Sequence, residues 1–263
     1  MRRCVSFSTA IVTGSDSGIG RATAVALARR GLDVGVTWHT DEDGAQGTAG
    51  EVRQLGGRAE VTRLDASRPE DAARTVGELA DALGGVDVLI NNAGTGHLSG
   101  VLEVTLDEWR SVLDTDLVGA FVIAQEVARR MIAAGRGGRI VNVTSVHEHV
   151  PLEGAVAYVA AKHALGGVTK VMALELAEHA ITVNSVAPGE IATPMTGNED
   201  VDPHTLERPV ITLGRPGDAR EIAEAIAHLA SAEASYTTGA SFVVDGGMLL
   251  MGAVANQRAM AGS

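Results

Sequence analysis

Ser8-Thr9-Ala10-Ile11-Val12-Thr13-Gly14-Ser15-Asp16-Ser17-Gly18-Ile19-Gly20 is the stretch whose reading decides the fold. Residues 8–13 are a short apolar run of β type, and the Ala/Arg-rich pattern after Gly20 predicts an amphipathic helix to about residue 30. Glycines between a strand and a helix allow a tight turn and close backbone approach. They leave the first N–H groups of the helix aimed at a pyrophosphate. Such a turn alone is a weak signal, because a plain βα connection can carry one. Here the strand before it and the helix after it supply the required context.

Outward from this turn, strands and helices alternate. Strands are predicted over 33–37, 59–64, 86–90, 139–143 and 182–187, and helices over 43–55, 69–83, 106–134 and 157–178. Pro69 falls at a first-turn position, where its missing N–H costs nothing. Strands end in Asp65-Ala66, in Asn91-Asn92-Ala93-Gly94 and in Pro188-Gly189-Glu190-Ile191-Ala192-Thr193-Pro194. The alternation predicts an α/β fold with a doubly wound parallel sheet covered on both faces. Without an internal repeat or a low-complexity linker, 1–263 is read as one domain. Its cofactor part is about 8–145 and its catalytic and substrate part about 145–263. Ligands are expected at the carboxyl ends of the strands.

Composition narrows the function. At 263 residues, 45% hydrophobic, with mean hydropathy +0.13, the chain is an ordinary globular one. Its net charge of −12, with no dense Lys/Arg cluster, argues against nucleic acid and anionic membrane as partners. Cys4, the single cysteine, excludes an intrachain disulfide framework and suits a reducing compartment. The apolar run after Arg2-Arg3 is too short and too polar for a signal peptide, and no segment approaches the ~18 apolar residues of a membrane span. The expectation is a soluble cytoplasmic protein.

Chemistry concentrates between Ser145 and Lys162. Tyr158 and Lys162 stand one helical turn apart on one face, with Cβ atoms about 5–6 Å from each other. An ammonium beside a phenol favours the phenolate, which is how a tyrosine becomes an acid or base near neutral pH. Ser145 follows the run Arg139-Ile140-Val141-Asn142-Val143, and a hydroxyl at that strand end could hold a substrate oxygen against the phenol. Only Lys162 and Lys170 among the 21 basic residues are lysines. Codon bias accounts for that scarcity, but it also makes a lysine one turn after Tyr158 less of a background event.

Taken in order, Thr13-Gly14-x3-Gly18-Ile19-Gly20, Asp65, Asn91-Asn92-Ala93-Gly94, Ser145, Tyr158-x3-Lys162, Pro188-Gly189 and Val244-Asp245-Gly246-Gly247 resemble the short-chain dehydrogenase/reductase family along essentially the whole chain. The resemblance implies a seven-stranded Rossmann-type sheet and NAD(P)-dependent oxidoreduction of a hydroxyl or carbonyl. It assigns proton transfer to Tyr158 and orientation of the substrate oxygen to Ser145. Lys162 would lower the tyrosine's pKa and bind the nicotinamide ribose. Cofactor contacts would fall on Gly14, Ser17, Gly18, Ile19 and Gly20, on Asp65 and Ala66, and on Asn92, Ala93 and Gly94. Tyr158, Lys162, Pro188, Gly189, Ile191 and Thr193 complete that set. Asp65 would contact adenine, residues 92–94 the adenosine ribose, and Thr193 the nicotinamide amide. One position departs from the pattern: seven residues after Trp109, where the family has an asparagine in a proton relay, this chain has Asp116. An aspartate accepts the same hydrogen bond but brings negative charge towards Lys162. Asp116 is expected to keep the relay working.

The second strand runs into Trp38-His39-Thr40 without the acid that would bind a ribose 2′-OH. His39, with the Thr37 and Thr40 hydroxyls, could instead contact a 2′-phosphate. Asp16 opposes this, and the balance favours NADP(H) over NAD(H). After Ser145, the sequence Val146-His147-Glu148 resembles the sugar-dehydrogenase branch of the family. His147 is expected to contribute a donor to a small oxygenated substrate, with Glu148 and His149 unassigned. Residues 193–213 resemble the family's substrate lid, and Glu199, Asp200 and Asp202 make it acidic. That disfavours acyl-carrier or acyl-CoA substrates. Leu165, Val168, Met172 and Leu176 form an apolar stripe explained by core packing. The resemblance adds a homotetramer, with a dimer second, and the apolar run 248–255 is a further candidate contact. The expected activity is interconversion of a small polar ketone and a secondary alcohol. The alternatives are a 3-oxoacyl reductase or a catalytically weak NADP(H) sensor. No metal site is expected.

Overall fold

The structure is a computed structural model that describes residues 7–96, 98–198 and 201–252. Cys4, Glu199, Asp200 and the end of the apolar run at 253–255 lie outside the described residues. The main sheet contains β1 (Thr9–Val12), β2 (Asp33–Trp38), β3 (Ala59–Arg63), β4 (Val88–Asn91), β5 (Gly138–Val143), β6 (Ile181–Pro188) and β9 (Ser241–Val244). All seven run parallel in the order β3-β2-β1-β4-β5-β6-β9. A separate two-stranded ladder joins β7 (Ile191–Ala192) to β8 (Gly217–Asp218).

Register and period sort the core into two faces. Ile11 pairs with Leu89, Leu89 with Ile140 and Ile140 with Val183, and this row faces one way. It packs under α3 (Pro69–Leu83), α5 (Ala120–Ala134) and α6 (Val156–Leu176). The next residues along, Val12, Ile90 and Val141, face α1 (Gly18–Arg29), α2 (Glu42–Gln54) and α7 (Ala219–Leu229). Strands covered on both sides read as continuous apolar runs, and each large aliphatic side chain so buried stabilises the fold by about 1.5–3 kcal/mol. Met172 is buried in the α6 side of this core, Val168 and Leu176 lean on it, and Leu165 is buried on the same helix. The apolar residues that α6 leaves exposed are Val171 and Leu174, on its other face.

The strand order reverses at β1, whose neighbours are β2 and β4. Beyond the carboxyl ends of these strands no chain crosses over, so a cleft opens there. Among the helices, two differ from the sequence reading. The helix expected over 106–134 is α4 (Leu106–Leu113), a π turn (Asp114–Gly119) and α5. A π turn holds one residue more than the α ladder, and such turns concentrate at functional sites. The helix α7, not anticipated, begins at a capping box in which Asp218 and Glu221 satisfy each other's backbone.

Candidate active site

At the exit of β1, Gly14 and Gly18 adopt φ of 59° and 52°, left-handed values that other residues adopt only with strain. Gly20 packs so closely on the Gly14 carbonyl that a Cβ would collide with it. Helix α1 starts at Ser17 with no side-chain cap and no acid in its first turn. Its first N–H groups are therefore open to an anion from outside the chain. The Thr13 hydroxyl accepts from the N–H groups of Asn92 and Ala93, each at 2.9 Å. The Asn92 amide donates back to the Thr13 and Gly14 carbonyls at 3.0 and 2.8 Å, locking the β4 exit to the glycine-rich turn.

These elements border a cleft of about 450 Å³. Of the expected cofactor residues, Gly14, Ser17, Gly18, Ile19, His39, Asp65, Ala66, Asn92, Ala93, Gly94 and Thr193 line it. Gly20 lies beneath the turn as a packing residue. Ile191 is buried in the core, and the Gly189 N–H is committed to the Val244 carbonyl beside Pro188. Lining residues that the sequence reading did not name are Ser67, Thr95, Ser111 and Thr115 from neighbouring loops and helices, with Leu64 and Met195 as apolar walls. Open helix N–H groups, glycine clearance and this long cleft fit a dinucleotide.

At the β2 end, Trp38 and Thr40 line the cleft beside His39. Thr37 does not reach it: the residue is fully buried and its hydroxyl accepts from the Gly14 N–H at 3.0 Å. The expectation of a Thr37 contact to a 2′-phosphate is therefore corrected. Its side chain lies on the inner side of the strand and holds the glycine-rich turn. The Ser67 hydroxyl donates to Asp65 at 2.6 Å, which above all holds this carboxyl below the usual carboxylate range. His39 and Arg68 add to that effect, 3.7 and 3.5 Å from the other oxygen. Burial instead pushes the Asp16 carboxyl up, and Asp41 nearby adds to it.

Beyond the opposite end of the cleft stand the reactive groups. Ser145 follows β5, buried, and its Oγ accepts from the His147 N–H at 3.2 Å. That interaction uses a lone pair and leaves the hydroxyl proton to be donated. Tyr158 and Lys162 share one face of α6, with Nζ 5.4 Å from the centroid of the phenol ring. Lys162 is 4% exposed and donates to the Val143 carbonyl at 3.4 Å. Its Nζ is 3.1 Å from Asp116 Oδ2, while Asp116 Oδ1 accepts from the Thr95 N–H at 2.7 Å. Burial opposes the lysine's charge, but Asp116 and Tyr158 outweigh it and hold the Lys162 pKa above the ordinary lysine value.

His147 meets the Tyr158 ring edge-on, with centroids 6.3 Å apart. Its Nδ1 lies 3.1 Å from the Val150 carbonyl oxygen, which only accepts, so Nδ1 carries a proton. With Nδ1 so engaged, Nε2 is the atom left to face a substrate: it accepts in the neutral ring and donates, as the sequence reading expects, in the protonated one. Among the described residues no helix is long and apolar enough to cross a membrane, and no group of three or more His, Cys, Asp or Glu side chains is placed to hold a metal.

Comparison with known proteins fits this geometry. A family model described as enoyl-(acyl carrier protein) reductase matches residues 14–249. The uncharacterized oxidoreductase YohF of Escherichia coli is 52% identical over 92% of this chain and 95% of that protein. The crystal structure of acetoin dehydrogenase YohF from Salmonella typhimurium superposes with a TM-score of 0.88 at 53% identity, covering 93% of this chain and 97% of that one. That of acetoin dehydrogenase from Enterobacter cloacae gives 0.87 at 52% identity, covering 93% and 96%.

Proposed function

The chain belongs to the short-chain dehydrogenase/reductase family and is an oxidoreductase acting on CH–OH groups; from this we propose that it interconverts a small polar ketone of the acyloin or diketone type and its secondary alcohol. The observation that carries this reading is the grouping of Ser145, Tyr158 and Lys162 past the end of β5, next to a cleft suited to a dinucleotide. The nicotinamide, when bound, supplies or takes the hydride at the carbonyl carbon. In reduction, Ser145 donates a hydrogen bond to the substrate oxygen and Tyr158 gives it a proton. The Lys162 ammonium stabilises the phenolate left behind. Oxidation reverses these steps.

The substrate class is supported by the acetoin dehydrogenases at 52–53% identity and by the half-buried, polar His147 beside Tyr158. NADP(H) is the preferred cofactor in this reading. Its support is the lack of an acid at the end of β2, the position of His39 in the cleft and the cation Arg68 at the Asp65 rim. Exposed Phe242 and Val243 on the edge strand β9, with Val171 and Leu174 on α6, support a homotetramer, which light scattering would test. The charge and cysteine content support a cytoplasmic location.

The deciding experiment is oxidation of NADPH and NADH by the purified protein against diacetyl, acetoin, an aldose and a β-ketoester, with Tyr158→Phe as control. Turnover of the small ketones that falls at least ~100-fold in the control is the expected result. Turnover confined to the β-ketoester would replace the reading with a 3-oxoacyl reductase. Nucleotide binding without any turnover would replace it with a sensor.

A further inference from the structure

Glu148 is a buried acid that the chemistry above does not use. It is 8% exposed, and its Oε2 accepts from three hydroxyls: Thr144 at 2.7 Å, Ser185 at 3.2 Å and Ser241 at 3.2 Å. Thr144 directly follows β5, Ser185 lies in β6 and Ser241 opens β9, so one oxygen joins three neighbouring strands. Among the described residues no Lys or Arg pairs with this carboxylate. Burying an anion without a cation is costly, and hydroxyl donors converging on one oxygen offset that cost.

The same side chain is wedged against α6. A Cβ on Gly166 would collide with Glu148 Oε1, so the carboxylate occupies a notch that only glycine leaves open. Gly166 is one turn beyond Lys162 and two beyond Tyr158 on the same helix. At its own end, the Glu148 N–H donates to the Ser145 carbonyl at 2.8 Å, closing the turn that begins at the serine. Ser145 is thus held between two anchored neighbours, the Thr144 hydroxyl on one side and Glu148 on the other.

We propose that Glu148 is a positioning residue, a clamp that sets the Ser145 hydroxyl relative to Tyr158 and Lys162 by fixing the serine turn to three strands and to α6. A carboxylate suits the task because it accepts from several hydroxyls and brings no donor that would itself need a partner. The glutamine amide keeps the shape but turns one end into a donor. Alanine removes the hub and leaves the Ser185 and Ser241 hydroxyls to find other acceptors, while Thr144 keeps only the Val186 carbonyl at 3.1 Å. Misplacing a catalytic group by about 1 Å costs on the order of 100-fold in rate.

Glu148 has this role only if Ser145 touches the substrate oxygen as proposed above, so the test is a double-mutant cycle with Ser145→Ala. Glu148→Gln should lower kcat about 10-fold and Glu148→Ala about 100-fold, with nucleotide Kd from fluorescence titration within about threefold of wild type. In the Ser145→Ala background, Glu148→Gln should change kcat less than twofold, because the group it positions is gone. Should Glu148→Ala not fold, Ser241→Ala stands in for it, with a kcat loss that is likewise absent in the Ser145→Ala background. An equal loss in both backgrounds, or a Glu148→Gln enzyme with wild-type kcat, would overturn the proposal while leaving the role of Ser145 intact. A Ser145→Ala enzyme as active as wild type would overturn both, and so separates the two failures.

Discussion

Lys162 Nζ lies 3.1 Å from Asp116 Oδ2, with the carboxylate fully buried and the lysine side chain 5% exposed. The π turn Asp114–Gly119 delivers Asp116 to this point between α4 and α5. Because the folded pKa of Lys162 is raised, its contribution to stability is fully present below the unfolded lysine pKa. It is lost as pH rises through the folded value. Asp116→Asn removes the compensating charge and leaves a buried ammonium, so unfolding in urea at pH 7 should show a loss of about 3 kcal/mol. The alkaline limb of the pH–rate profile should move to lower pH, since Lys162 then gives up its proton more readily. An unmoved profile would show that the carboxylate's charge does not reach the chemistry.

Asp116 also marks where sequence stops informing. Its position followed from counting seven residues past Trp109, but the π turn that aims it did not, because a one-residue widening is set by packing against other elements rather than by local composition. Tyr158 and Lys162 were legible because helical spacing fixes their relation wherever the helix lies. Thr37 shares its face of β2 with Asp33 and Gly35, which reads as the polar side, but the strand is covered on both faces and Thr37 is buried. Helix α7 does carry a start signal, Asp218-x-x-Glu221, but it follows an irregular segment with no predicted strand directly before it to set the alternation. Glu148 could not be assigned from sequence, since its three hydroxyl partners lie 4, 37 and 93 residues away.

The tautomer of His147 leads to a substrate-dependent prediction. With Nδ1–H donated to Val150, the neutral ring can accept from a substrate hydroxyl but offers nothing to a second carbonyl. His147→Ala should raise KM about fivefold for a hydroxyketone, the worth of one hydrogen bond, and less than twofold for the matching diketone. Steady-state kinetics on acetoin and diacetyl would check this. Equal effects on both substrates would remove His147 from recognition.

Asp16 lines the cleft with His39, and its carboxyl is held high by burial first and by Asp41 after that. A negative charge at this rim works against a 2′-phosphate. Asp16→Asn should therefore raise kcat/KM for NADPH relative to NADH about tenfold, which corresponds to ~1.4 kcal/mol. A ratio unchanged by the substitution would show that the 2′ position lies away from this carboxyl.

Glu221 gives the fold an acid-sensitive joint at the base of the lid. Hydrogen bonds from the Arg215 guanidinium and then from the Asp218 N–H lower its pKa from 4.5 to about 2. Arg215 contacts it at 2.8 and 2.9 Å, so this ion pair fastens the chain just past the 193–213 segment to the start of α7. For a carboxyl with a depressed folded pKa, the stabilisation is present above the unfolded value and is lost as pH falls through the folded one. Glu221 is 45% exposed, so solvent screening reduces the full linkage to about 1 kcal/mol at neutral pH. Glu221→Gln should lower stability by that amount at pH 7. The gap to wild type should hold down to about pH 5, narrow from there and close near pH 2. Urea unfolding across this range would test it. A gap independent of pH would mean that the charge of Glu221 adds nothing, through either the Arg215 pair or the Asp218 N–H.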